Sequence, residues 1–92
     1  MLFMLATPDA GLLKVMDLMA GNEDKELLLI SDGVYLASPA MAEVLAEHDI
    51  GEVYAEEPAL AKRGLQPAGS CEAVDLDRIV DIVLDSQKLI YL

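Results

Sequence analysis

Cysteine is nearly missing from this chain. Cys71 is the only one in 92 residues, so neither an intramolecular disulfide nor a cysteine-based metal site can form. Histidine is as scarce: His48 stands alone among scattered carboxylates, which leaves no metal-ligand cluster and no Ser/His/Asp set. Cationic side chains are few, 6 against 17 acidic ones, for a formal net charge of −11. Nucleic-acid binders need clustered Lys and Arg to displace counterions from phosphates, and Lys62-Arg63 is the only adjacent basic pair. Direct binding of RNA or DNA is therefore not expected. Long apolar runs are also absent. Met1–Ala6 and Leu89–Leu92 fall far below the ~20 residues that a membrane-spanning helix needs. No basic segment precedes Thr7-Pro8-Asp9, so a secretory signal is not expected and the cytoplasm is the default location. There is no glycine-rich phosphate loop of the P-loop or dinucleotide-binding kind, and no cofactor is expected. A phosphoacceptor receiver domain would need an acidic pair after the first strand, where Thr7-Pro8-Asp9 stands instead.

What the chain does have is apolar residues, at 54% with a mean hydropathy of +0.38. A single domain spanning 1–92 is expected from the length, and a domain this small buries only about 60–65% of its unfolded surface. The apolar content exceeds what such an interior hides. The surplus points to another subunit, either a copy of the chain or a related partner.

Along the chain, short apolar runs alternate with amphipathic stretches, the pattern of βαβ units and a parallel sheet. Met1–Ala6 reads as a first strand covered on both faces. Thr7 or Asp9 can cap the helix that follows, with Leu12, Leu13, Met16 and Met19 inward, Lys14 and Asp17 opposite, and Gly21-Asn22 as its stop. Glu26–Ile30 reads as the second strand, closed by Ser31-Asp32-Gly33. Ser38-Pro39 is a suitable start for a second helix with Met41, Val44 and Leu45 inward. Glu52–Ala55 is a short third strand. Pro58 to Arg63 is a short helix stopped by Gly64, and Cys71–Asp75 contains a fourth strand. Asp75 then caps a last helix, with Leu76, Ile79, Val80 and Val83 inward and Asp77, Asp81 and Asp85 toward solvent. Leu89–Leu92 is a terminal strand. The expected fold is α/β: a Rossmann-like three-layer α/β/α sandwich on a mainly parallel five-stranded sheet, with the strand order left open.

Four positions stand out as candidates for binding or interaction: Asp32, Gly33, Arg63 and Gly64. Asp32-Gly33 is first a turn, but it follows a strand, and ligands and partners gather at strand carboxyl ends in open parallel sheets. Glu56-Glu57-Pro58 and Lys62-Arg63-Gly64 read as a short helix with acids at its start and bases at its end. Arg63 is the cation expected to make a specific contact. His48 reads as a solvated residue at a helix C-terminus. Cys71 is the one candidate for carrying sulfur. Glu72, Asp75 and Asp77 lie near it in sequence and would disfavour the thiolate, so a small residue leading into a strand is the preferred reading.

Several local patterns converge on one family. Met1-Leu2-Phe3 with Thr7-Pro8, Leu28-Leu29-Ile30-Ser31-Asp32-Gly33-Val34, and Tyr54-Ala55 through Leu60 to Arg63-Gly64-Leu65 all resemble the TusB/DsrH branch of the sulfur-relay (DsrE/F/H-like) proteins. Val74-Asp75 with Val80-Asp81, and Tyr91 near the end, are similar to that branch too. The resemblance implies a DsrE/F/H-like α/β subunit that assembles with DsrE/TusD-like and DsrF/TusC-like partners. Such complexes pass persulfide sulfur toward tRNA wobble-uridine thiolation or within dissimilatory sulfur metabolism, with the main acceptor cysteine on the DsrE/TusD-like partner. Some members carry a cysteine in the first helix, where this chain has none; Ala59 and Lys62 also depart from the family pattern, and Cys71 matches none of its positions. Three readings follow. The first is a non-catalytic subunit of a heteromeric relay, the second a sulfurtransferase using Cys71, and the third a stand-alone homo-oligomeric module binding a small ligand.

Overall fold

Parallel pairing requires a crossover after every strand, and the chain supplies four. The computed structural model describes residues 1–92. Its strands are β1 (Leu2–Leu5), β2 (Glu26–Leu29), β3 (Glu52–Glu56), β4 (Cys71–Val74) and β5 (Leu89–Tyr91). They pair in the order β4-β3-β2-β1-β5, and every pairing is parallel. The helices are α1 (Gly11–Ala20), α2 (Ala42–Ala46), α3 (Glu57–Lys62) and α4 (Leu76–Asp85).

The order decides the layers. The steps from β1 to β4 all run in one direction, so right-handed crossovers place α1, α2 and α3 on one face of the sheet. The last crossover returns from β4 to the opposite edge, which puts α4 alone on the other face. Strand alternation feeds both layers: Phe3, Leu5, Leu27, Leu29, Val53 and Ala55 join the first, and Leu2, Leu28, Tyr54 and Val74 the second. The two are unequal, with 15 buried core residues on the first face and 5 on the α4 face. Full burial of a Leu such as Leu27 or Leu29 contributes about 1.5–3 kcal/mol, so the first face carries most of the stability.

Local signals hold at most element ends. The Asp75 carboxylate accepts from the Arg78 N–H at 2.8 Å and caps α4. Gly21, at φ +58°, ends α1. The first helix opens on Asp9, whose carboxylate accepts from the Gly11 N–H at 2.9 Å.

Three expectations are corrected. Ser38 makes no side-chain cap, and the second helix is broken into pieces: 3-10 turns at Ser31–Ala37 and Pro39–Met41 precede the short α2. In α1 the buried row is Leu13, Met16 and Ala20, which turns Met19 outward and Asp17 onto the flank toward α2. In α4 only Ile82 is fully buried, flanked by Ile79 and Val83, while Leu76 and Val80 are exposed. A helix lying on a flat sheet buries one narrow stripe, and both apolar arcs are wider than that stripe.

Candidate functional site

The strand carboxyl ends bring together residues far apart in sequence. The β2 strand leads through Ile30 into the 3-10 turn that carries Asp32 and Gly33, and β3 runs directly into α3, whose C-cap is Arg63. Since β2 and β3 are neighbours, the two connections touch. Arg63 donates from Nη2 to Asp32 Oδ1 at 2.6 Å and from Nε to the same oxygen at 3.1 Å. Its Nη1 donates to the Ala59 carbonyl at 3.0 Å, and the guanidinium lies 5.9 Å from the Tyr35 ring centroid. All three guanidinium nitrogens are engaged within the chain. The specific contact expected of Arg63 is thus an internal one, joining α3 to the turn after β2.

Both glycines have backbone reasons for being there. A Cβ on Gly33 would run into the Leu5 carbonyl at the end of β1, so only glycine lets the turn pack against that strand. Gly64 sits at φ +62°, in the left-handed region. That conformation lets the Leu65 N–H donate to the Leu60 carbonyl at 3.0 Å and the Gly64 N–H to Ala61 at 3.2 Å, closing α3. Leu65 then folds back onto the main core. Beside them, the Ser31 N–H donates to Glu56 Oε1 at 3.0 Å, and Ser31 takes φ +50°. A left-handed non-glycine residue costs on the order of 1–3 kcal/mol, and this carboxylate is one of the contacts that hold it there.

Cys71 is nowhere near this cluster. It opens β4, the edge strand, paired with Val53, and lies at the amino ends of the strands, the opposite end of the sheet. The thiol is half-buried, and burial pushes its pKa up despite a hydrogen bond from Ser70 that lowers it. The direction agrees with the sequence reading, but the cause is burial rather than the acidic neighbours.

Two groupings escaped the sequence reading. His48 is not a solvated helix end: its Nδ1 lies 2.6 Å from Asp17 Oδ2, tying α1 to the turn after α2, and Lys25 Nζ is 3.5 Å from Asp17 Oδ1. Burial pushes the Asp17 carboxyl up, yet the His48 hydrogen bond and the charges of His48 and Lys25 outweigh it and hold the carboxyl below its ordinary value. At the amino ends, Leu2, Glu26, Tyr54, Arg78, Ile82 and Asp85 line a cleft of about 160 Å³. There the Tyr54 hydroxyl donates to Glu26 Oε2 at 2.9 Å. Burial and then that carboxylate push the phenol up to about 12, so it stays protonated. No signal of spacing marks either grouping, because each joins side chains from separate elements. No group of three or more His, Cys, Asp or Glu is placed to hold a metal ion, and no helix is long and apolar enough to cross a membrane.

The geometry thus presents a polar corner without a thiol at one end of the sheet, and at the other a half-buried thiol on the border of an open cleft that Glu52, Tyr54, Ser70, Glu72 and Arg78 also line. A family model described as DsrH-like protein matches residues 9–89. The chain belongs to the DsrH-like family. Members of that family are sulfur-relay proteins, which generally act in a complex with DsrE- and DsrF-like subunits. The match takes in the strand-two, Arg63-Gly64-Leu65 and Val80-Asp81 patterns of this DsrH-like chain, while Met1-Leu2-Phe3, Thr7-Pro8 and Tyr91 lie outside it. The fold is similar to the crystal structure of the YchN protein from E. coli, with a TM-score of 0.69 at 18% identity over 99% of this chain and 97% of that one. Comparison with curated protein sequences gives no significant match.

Proposed function

We propose that this DsrH-like chain is a non-catalytic subunit of a heteromeric persulfide-relay complex, working in the cytoplasm with DsrE/TusD-like and DsrF/TusC-like partners. The sulfur passes toward tRNA wobble-uridine thiolation or dissimilatory sulfur metabolism. The observation that carries this reading is the placement of the lone thiol: half-buried on an edge strand, raised in pKa, and at the opposite end of the sheet from the Asp32–Arg63 corner. A sulfur acceptor reacts as thiolate and needs access. Cys71 borders an open cleft, but burial raises its pKa and disfavours the thiolate. In the Asp32, Gly33, Arg63 and Gly64 corner, exposed Asp32 and Gly64 serve as the surface that a sister subunit meets, while buried Gly33 and the internally bonded Arg63 hold it in shape.

Transfer of labelled sulfur through the complex tests this, with the chain reconstituted alongside its DsrE-like and DsrF-like subunits. A Cys71→Ser variant is expected to keep transfer within about twofold of the parent protein, well inside the tenfold that corresponds to 1.4 kcal/mol. Loss of transfer with the complex intact, or a persulfide found on Cys71 by mass spectrometry during turnover, would instead make the chain a relay enzyme.

A further inference from the structure

The α4 face of the sheet is only half covered. Helix α4 runs diagonally from the carboxyl end of β4 to the amino end of β5. Ile82, Arg78 and Asp85 look toward the strand amino ends, where they line the cleft with Leu2 and Glu26. At one hundred degrees per residue, the opposite flank of the helix carries Leu76, Val80 and Leu84 as a row at i, i+4 and i+8. That flank faces the carboxyl ends. Leu76, Val80 and Leu84 are between 54% and 76% exposed. On the same face of the sheet, Met4 and Ile30 are only partly buried against the cluster around Ile82, and Tyr91, in register with Met4 on β5, is 63% exposed. Helix flank and sheet together carry an apolar corner on this face of the molecule. Buried polar groups are not part of it, and nothing within the chain fills it.

The rim of the corner is acidic. Asp77 and Asp81 border the helix row, and Glu56 ends β3 on the same sheet face as Tyr54. A second copy docked on a two-fold axis would set these acids against their own counterparts, between two chains of −11 each. A partner with Lys and Arg around an apolar ridge meets no such repulsion.

We propose that the corner formed by Leu76, Val80 and Leu84 of α4 with Met4, Ile30 and Tyr91 of the sheet docks a sister subunit that presents an apolar ridge rimmed by basic residues. This rests on the subunit reading and deepens it by naming a second surface, besides the Asp32–Arg63 corner, and the chemistry of the partner that meets it. Burying an apolar corner supplies the affinity, while the charged rim selects a different chain over a copy of this one.

Co-purification and titration of the chain with its DsrE-like and DsrF-like subunits is the test. The Leu76→Glu/Leu84→Glu double variant changes only exposed positions, so circular dichroism of the isolated chain should match the parent. Its affinity for the subunits should fall at least tenfold. Asp77→Lys/Asp81→Lys should weaken binding at least threefold, and parent binding should weaken as salt is raised. If the parent forms no complex at all, the subunit reading fails and takes the docking inference with it. A complex that survives Leu76→Glu/Leu84→Glu within twofold overturns the docking surface while leaving the subunit reading intact. Unchanged or tighter binding of Asp77→Lys/Asp81→Lys overturns the basic partner, as does homodimerisation of the parent that Leu84→Glu abolishes.

Discussion

A Gly33→Ala substitution puts a methyl group where the chain has a carbonyl. The new Cβ would overlap the Leu5 carbonyl oxygen, come within 3.0 Å of its carbon, and crowd Ala6 at 3.4 Å. These are backbone atoms at the end of a central strand, so no side chain can swing aside. Either β1 or the 3-10 turn has to move. Both options strain the same bonds: Gly33 N–H to Ala6 O at 3.1 Å and to Ile30 O at 2.8 Å, and Ile30 N–H to Leu5 O at 2.9 Å. Overpacking costs about 1–3 kcal/mol, and a hydrogen bond about 0.5–1.5 kcal/mol, so a total of about 2–4 kcal/mol is expected. In a domain of this size each kcal/mol lowers Tm by roughly 4–8 °C, which puts the expected drop at roughly 8–32 °C. Gly64→Ala is the internal control. Nothing lies within 4 Å of its Cβ, and the cost comes only from φ +62°, about 1–2 kcal/mol. Urea and thermal denaturation of both variants measure the difference. A Gly33→Ala protein within 0.5 kcal/mol of the parent, or less perturbed than Gly64→Ala, refutes the steric argument.

Two further outcomes follow from the titrating groups. Asp17 has a native pKa below its ordinary 3.8, so its stabilising pairing is present above that value and is lost as pH falls through the lower native one. The stability advantage of the parent over Asp17→Asn should therefore shrink on acidification across that window in urea titrations; a gap independent of pH contradicts the pairing. For Tyr54, ultraviolet titration should show a phenolate phase near pH 12 that disappears in Tyr54→Phe. Loss of a phase at the ordinary value of 10 instead would place the Tyr54 hydroxyl outside the Glu26 contact.

Much of the architecture was legible in the residues because the forces that set it are local. Parallel strands buried on two faces show as unbroken apolar runs, as in Leu27–Ile30, and glycine stops and aspartate caps act within four residues of the positions that reveal them. Gly21, Gly64 and Asp75 fall where they were expected for that reason. The broken stretch from Ser31 to Met41 was not legible. Gly33 is there to clear the Leu5 carbonyl, a backbone atom 28 positions earlier, and no local pattern records that.

The candidate site divides in the same way. Asp32, Gly33, Arg63 and Gly64 were visible as turn and cap residues, and the family patterns around them could be read along the chain. Their meeting depended on β2 and β3 being neighbours, a fact of strand order. Strand order, given right-handed crossovers, also set the face on which each helix lies, and so put α1 beside α2, where Asp17 finds His48. It left α4 alone on its face, with Leu76, Val80 and Leu84 uncovered. Sequence by itself determined most of the elements, the Gly21, Gly64 and Asp75 helix ends and the family, since each depends on neighbours along the chain. Only the tertiary structure decided which side chains meet and which apolar surface stays bare, because crossover direction and sheet edge are properties of the whole chain.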